Sequence, residues 1–165
     1  MQKQIGLGGG CHWCTEAVFL SLGGVQNVEQ GWIASVLPHD ALSEAVVVTY
    51  ESSVISLKDL IDIHLHTHAS TSLHSMRSKY RSAVYWFNTA DEREIKLIIE
   101  RLRDDFEQPI ITNVLPFVSF KASLPGHLNY YYSNPDKPFC AVYINPKLQM
   151  LRKKYPRLTN VNEEQ

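Results

Sequence analysis

The sequence predicts a single α+β domain, a two-layer α/β sandwich whose one sheet is covered mainly by helices on one side. Three observations predict it. Short β-branched and aromatic runs are interspersed with longer segments of helical periodicity. Hydrophobic residues make up 44% of the chain, close to the ~45–50% of soluble globular domains, so a core can form without disulfide staples. No repeat, low-complexity tract or linker divides the 165 residues. The domain is read as 1–158, with 159–165 as a flexible tail that only Val161 could anchor.

Gln4–Leu7 is a short apolar run stopped by Gly8-Gly9-Gly10, a strand entering a glycine loop. Residues 11–22 then carry Trp13, Ala17, Phe19, Leu20 and Leu22, a helix ended by Gly23-Gly24. Val25–Trp32 reads as a strand and Ile33–Leu42 as a loop holding Pro38. Glu44–Tyr50 is the clearest β-branched strand. Ser56, with Asp59 three residues on, caps a helix running to about His68. A polar loop, Ala69–Lys79, leads to a strand at Tyr80–Phe87. Asn88-Thr89 cap a helix from Ala90 to about Phe106 whose inward face is Ile95, Ile98, Ile99 and Leu102. Ile110–Leu115 is a strand before Pro116. Tyr130-Tyr131-Tyr132 sits in a short helix or turn, Phe139–Ile144 is extended, and Pro146–Tyr155 forms a last helix with proline in its first turn.

Sixteen basic against seventeen acidic residues leave a net charge of −1. This excludes a strongly basic nucleic-acid binder and an acidic disordered tail. No charge-free stretch approaches the ~18 apolar residues of a membrane span. Gln4–Leu7 is too short for the apolar core of a secretory signal, and Gly-Gly-Gly-Cys lacks the upstream apolar segment of a lipoprotein site. A cytoplasmic protein is expected. The three cysteines, Cys11, Cys14 and Cys140, are a poor disulfide framework. That leaves reactive, metal-binding or merely buried thiols.

Cys11 carries the strongest chemical signal. It opens a predicted helix directly after three glycines. A helix N-terminus presents unpaired N–H groups and a partial positive charge, both of which favour a thiolate. The glycines let backbone approach a ligand without a Cβ in the way. A phosphate loop is the bland alternative, but Gly6-Leu7-Gly8-Gly9-Gly10 lacks a nucleotide fingerprint's spacing and no lysine follows it.

Gly10-Cys11-His12-Trp13-Cys14-Thr15-Glu16-Ala17-Val18-Phe19 resembles the signature of the methionine sulfoxide reductase A family, G-C-F-W-G-x-E-x-x-F. Further blocks follow in order. Gly24-Val25 and Gly31-Trp32 resemble the family's G-V…G-Y stretch, and Ser43–Tyr50 its H-A-E-x-V-x-V-x-Y strand. His68-Ala69-Ser70-Thr71 stands where the family has H-D-P-T, and Tyr80-Arg81-Ser82 matches its Y-R-S. Residues 111–117 resemble P-I-x-T-E-I-x-P. Asn134-Pro135 with Phe139-Cys140 resembles N-P-x-G-Y-C. The blocks span residues 4–145.

With this resemblance the sheet is expected to be mixed and ferredoxin-like (a plait) with flanking helices. The resemblance implies reduction of methionine S-sulfoxide, free or peptide-bound, in protein repair under oxidative stress. Cys11 becomes a sulfenic acid, then an intramolecular disulfide that a thioredoxin-like reductant reopens. It implies no metal and no cofactor beyond that thiol co-substrate, and neither a nucleic-acid nor a membrane partner.

The residues fit this chemistry. Sulfoxide reduction needs a nucleophile for sulfur and a proton for oxygen. Cys11 is the nucleophile. Glu44 opens an apolar strand, where partial desolvation favours a carboxyl that holds a proton to give. Tyr80 offers a hydroxyl to the same oxygen, and Trp13 an apolar wall for the methyl group. Glu44 and Tyr80 each also have a plainer reading, Glu44 as a solvated strand end and Tyr80 as a packed strand tyrosine.

Several positions depart from the family. His12 replaces its phenylalanine, and Trp32 replaces a tyrosine and has no hydroxyl; both join Trp13 as candidate substrate contacts. The N-R-Q-G-N-D-V-G loop is shortened to residues 72–77, with no carboxylate near Ser75. His127-Leu128-Asn129-Tyr130 replaces Y-H-Q, and His12, His74 and the tyrosines near 130 are candidate substitutes for the lost groups. Cys14 replaces a glycine and creates a Cys-x-x-Cys. Two thiols therefore compete to resolve the sulfenic acid: Cys140, favoured by motif position, and Cys14, close in sequence.

Two rival readings stay open at this point. Cys11 and Cys14 could serve a thiol–disulfide oxidoreductase, which leaves Glu44 and the Tyr-Arg-Ser block without a role. His64, His66 and His68 with the two cysteines could hold a metal, although the spacing fits no standard zinc site. Histidines on a helix surface are the preferred reading of that triplet.

Overall fold

The computed structural model describes residues 1–73, 75–124 and 144–159. The sheet is built from β1 (Gln2–Gly8), β2 (Val25–Ala34), β3 (Ser43–Glu51), β4 (Ala83–Trp86), β5 (Asn113–Pro116) and β6 (Ser119–Ala122). The helices among the described residues are α1 (His12–Leu20), α2 (Leu57–Thr67), α3 (Thr89–Leu102) and α4 (Asn145–Lys154). The strand order is β5-β4-β1-β3-β2-β6. Within it, β1-α1-β2-β3-α2-β4 forms the expected ferredoxin-like plait, since β1 pairs antiparallel with β3 and β4, and β2 with β3. The sheet is mixed because β5 joins β4 in parallel, while β6 joins β2 antiparallel.

Alternation along the strands sorts the two faces. Ile5, Leu7, Val28, Val46, Val48, Tyr50 and Val84 share the larger core with Phe19, Leu60, Ile61, Ile95, Leu148 and Leu151 from the four helices. Their neighbours Ile33, Ala45, Val47, Ala83 and Tyr85 form a smaller cluster on the opposite face with Phe117 and Phe120. Helices therefore cover one face, as the sequence predicts. Ile5, Leu7 and Phe19 are fully buried, and each such side chain contributes about 1.5–3 kcal/mol. They anchor β1 and α1 on either side of the glycine loop.

Ser56 and Asp59 form the expected capping box: Ser56 Oγ accepts from the Asp59 N–H at 3.0 Å, and Asp59 Oδ2 accepts from the Ser56 N–H at 3.3 Å. Ser56→Ala is expected to cost about 0.5–2 kcal/mol. Urea unfolding measures it through a lower midpoint at unchanged slope.

Some boundaries differ from expectation. β4 begins at Ala83 rather than Tyr80, because the Arg81 N–H is bonded to Ser43 Oγ at 2.8 Å instead of a ladder partner. α3 stops at Leu102 and tightens into a 3₁₀ turn at Arg103–Asp105. β5 starts only at Asn113, since the Ile111 N–H bonds back to Ser70 O. β6, with mostly exposed Ser-Phe-Lys-Ala, lacks the apolar alternation that announces a strand. Thr159, read as the start of a tail, bridges to Leu22. The expected elements at Tyr130–Tyr132 and Phe139–Tyr143 lie outside the described residues. Among the described residues no helix is long and apolar enough to cross a membrane.

Candidate active site

The site forms where β1 gives way to α1. Gly9 has φ +152°, and the place a Cβ would take is filled by the His68 ring. Only glycine suits that turn. Arg77 fastens the loop from outside, donating through Nη1 to the carbonyls of Gly9 and Tyr80, both at 2.8 Å, and through Nε to Ser72 O. Cys11 then sits as the N-cap of α1, partly exposed. A hydrogen bond from the Cys14 thiol lowers the Cys11 pKa most; backbone N–H groups of Trp13 and Cys14 add to this. Burial and the nearby Glu44 charge work against it, and the net direction is downward. The thiolate expected of this position is therefore favoured, with buried Cys14 as the largest contributor.

Glu44 arrives from β3. Alternation puts it on the helix-covered face with Val46, Val48 and Tyr50, and register pairs it with Trp32 of β2. The start of β3 is clamped to the following segment: Ser43 Oγ donates to Lys79 O at 2.9 Å, and the Glu44 N–H donates to the same carbonyl at 3.0 Å. Lys79 and Tyr80 are thereby held beside Glu44. Arg81, buried, braces this corner by donating through Nε to Tyr85 Oη and through its Nη atoms to Ile33 O and Ala41 O, all at 3.0–3.1 Å.

Glu44 is 5% exposed. Its Oε1 lies 3.3 Å from His12 Nε2 and accepts the His12 backbone N–H at 3.4 Å, while Oε2 lies 3.6 Å from Lys79 Nζ. Lys79 also hydrogen-bonds Tyr80 and lies 5.1 Å above its ring; Tyr80 and the negative charge of Glu44 raise the lysine pKa. His12 is buried, with Nδ1 3.0 Å from Gly31 O and its ring edge-on to Trp32 at 5.1 Å.

Cys11, His12, Trp13, Trp32, Glu44, Lys79 and Tyr80 line one cavity of about 370 Å³. It brings a thiol, an imidazole, a carboxyl, an ammonium, a phenol and two indoles around one space. Six of these residues were expected from sequence. Lys79 was not, although its place next to Tyr80 was a usable signal; Arg77 was likewise hidden in the shortened loop. Cys14 is buried against Cys11. Cys140, His74, His127, Asn129 and Tyr130–Tyr132 lie outside the described residues.

The histidine triplet corrects the expectation of a helix surface. His64 is buried, its Nε2 2.8 Å from Gly8 O, and desolvation pushes its pKa down to about 4. The His68 ring lies tilted against it with centroids 4.2 Å apart and Nε2 2.8 Å from Ser82 Oγ, and burial first, then His64, hold its pKa well below the usual range. His66 faces away and pairs with Asp62 at 2.9 Å. These rings support the glycine loop and α2 through hydrogen bonds and do not converge on the cysteines. Asp62, His66 and Asp105 are the one group with metal-like spacing among the described residues, and Asp62 already accepts from Tyr155 Oη at 2.9 Å.

Comparison with known proteins identifies the family. The family model for peptide methionine sulfoxide reductase matches residues 3–159. Peptide methionine sulfoxide reductase MsrA of Deinococcus radiodurans is 36% identical over 170 residues, covering 93% of this chain and 82% of that protein. The crystal structure of Saccharomyces cerevisiae Mxr1 in reduced form shares the fold with a TM-score of 0.75 at 23% identity, over 84% of this chain and 89% of that one. Mxr1 in complex with Trx2 shares it with a TM-score of 0.62 at 24% identity, over 73% and 79%. The chain belongs to the peptide methionine sulfoxide reductase family.

Proposed function

We propose that this chain reduces the S epimer of methionine sulfoxide, free or peptide-bound, with Cys11 as nucleophile and Glu44 as proton donor. The observation that carries the reading is a thiolate-favoured cysteine on the same cavity as a buried carboxyl. The Cys11 thiolate attacks, the sulfoxide S–O bond breaks, and the oxygen takes one proton from Glu44. Cys11 is oxidised to a sulfenic acid while the sulfoxide leaves as methionine. Tyr80 and the Lys79 ammonium steady the oxygen as charge builds on it. Trp13 and Trp32 bound the side of the cavity where an apolar methyl group fits.

A second thiol then displaces hydroxide from Cys11; its proton completes water, and a disulfide remains. Cys140 takes this role in our reading, from its place in the family motif. A thioredoxin-like dithiol reopens the bridge, in keeping with the yeast Mxr1–Trx2 complex. The cycle balances on thiols alone, so the reading needs no metal or prosthetic group. It also fits a cytoplasmic setting, where free thiols persist. The contact between Cys14 and Cys11 favours a second reading, thiol–disulfide exchange through the Cys-x-x-Cys; that activity has no use for Glu44.

Cys140→Ser is expected to keep one fast turnover and dithiothreitol-driven activity while losing most thioredoxin-driven activity, because dithiothreitol reduces a sulfenic acid directly. Peptide mapping after one sulfoxide equivalent checks it. A dominant Cys11–Cys14 bridge, with Cys140 still alkylatable, assigns the role to Cys14. The function itself is tested by turnover of the separated epimers, first with dithiothreitol and then with thioredoxin. Reduction of the S epimer alone is expected. Turnover of the R epimer at a similar rate, or of neither, overturns the reading.

A further inference from the structure

We propose that His12 and Glu44 form one proton-sharing pair, in which His12 is the positioning residue that stores and aims the proton delivered to the sulfoxide oxygen. The inference rests on the reading of Glu44 as the acid. Its starting point is a forced tautomer. His12 Nδ1 lies 3.0 Å from Gly31 O. A carbonyl oxygen only accepts, so Nδ1 carries the hydrogen. A neutral ring then has a bare Nε2, and that atom faces Glu44 Oε1 at 3.3 Å.

With no proton between them, two acceptors at that distance repel, and both side chains are almost fully buried, at 6% and 7% exposure. One proton between them turns the repulsion into a charge-assisted hydrogen bond. On oxygen it gives a neutral acid and a neutral imidazole; on nitrogen it gives a carboxylate and an imidazolium. Either way the pair holds one movable proton at zero net charge. The His12 backbone N–H also reaches Oε1, so the helix start and the imidazole both hold this end of the carboxyl. The family motif has phenylalanine at this place, and a hydrocarbon ring can do none of this. The pair is a property of this chain.

When the Cys11 thiolate attacks, the proton passes to the departing oxygen and becomes the hydrogen of the sulfenic acid. A neutral imidazole and a carboxylate remain. They reload one proton from water on the side of Lys79, whose side chain is 56% exposed beside Oε2. Among the described residues, the other titratable groups bordering the pair are Cys11 at the helix start, Tyr80 across Lys79, and Lys121 of β6, 5.9 Å above the Trp32 ring. Cys11 must be ionised while the pair is protonated. Two sites sharing one proton release it in a single step that belongs to neither. Removing one site leaves the proton fewer places to reside.

The test is the single-turnover rate of S-sulfoxide reduction as a function of pH in His12→Asn and His12→Phe. Asparagine keeps a donor for the Gly31 carbonyl and removes the titrating nitrogen; phenylalanine keeps the aromatic volume. Both are expected to move the alkaline fall of the rate to lower pH by about one unit, a loss of about tenfold where the wild type still works. In a Glu44→Gln background His12→Asn is expected to change the rate little, a strongly non-additive cycle. Histidine ¹⁵N NMR reads the pair without activity: His12 should be protonated at Nδ1 throughout, and the titration of its Nε2 should change in Glu44→Gln. An unshifted alkaline limb in both variants, or an even loss at all pH that adds to Glu44→Gln, overturns the pair. Full activity of Glu44→Gln alone overturns the acid reading instead, and the NMR titration still decides whether the two groups share a proton.

Discussion

Cys11→Ser is expected to abolish reduction of S-methionine sulfoxide with any reductant. A serine hydroxyl at this position is not ionised near neutral pH, and the N–H groups of Trp13 and Cys14 that favour a thiolate cannot make it so. Loss of a nucleophile costs on the order of 10⁶-fold in a hydrolase, and the loss here should take turnover below detection. The packing should survive, because Cys11 is partly exposed and α1 is held by Ala17, Val18 and Phe19. Unchanged thermal unfolding beside lost turnover is the expected pair of results. Substantial residual rate would move the chemistry to Cys14 or Cys140.

Glu44→Gln is expected to lower the chemical step by about 10²–10⁴-fold, the usual range for general acid catalysis. Glutamine keeps the volume of a side chain packed between β3, His12 and Lys79, and its amide can still meet a ring nitrogen or a backbone N–H. It cannot release a proton to the oxygen. The deficit should appear in kcat rather than in KM, because the interaction matters most as the S–O bond breaks. Rapid-quench measurement of the first turnover separates this step from disulfide recycling. A near-normal first turnover would hand the proton to Tyr80 or His12.

The fold was legible wherever local signals and burial agree. The Val46–Tyr50 run gives β3 because its alternate residues fill both faces of a central strand. Ser56 and Asp59 announce α2 because a capping box is local chemistry. Ile95, Ile98 and Leu102 turn one face of α3 inward because their spacing matches the helical period. Edges were not legible. β6 is held by pairing with β2 rather than by its own side chains, and β4 starts late because a backbone N–H finds Ser43.

The site divides in the same way. Cys11 was readable because its environment, glycines followed by a helix start, is contiguous in sequence. Glu44, Trp32 and Tyr80 were placed by motif, and their convergence depends on the register of β2 against β3 and on the clamp through Lys79 O. Lys79, the Cys14 contact and the tilted His64–His68 pair are tertiary facts, which spacing along the chain does not encode. His12 stood out only as a departure from a motif, and its partners Gly31 and Glu44 come from strands on either side of the Pro38 loop.

The central claim is that Cys11 takes the oxygen from the sulfoxide. The most direct measurement uses the Cys14→Ser, Cys140→Ser double variant, mixed with one equivalent of a peptide S-methionine sulfoxide and no external reductant. Methionine released per chain is quantified alongside the oxidation state of Cys11, trapped with a sulfenic-acid reagent and mapped by mass spectrometry. About one methionine per chain is expected, matched by a sulfenic acid on Cys11, because no second thiol remains to resolve it. Release of no methionine, or release with Cys11 still fully alkylatable as a thiol, would contradict the claim.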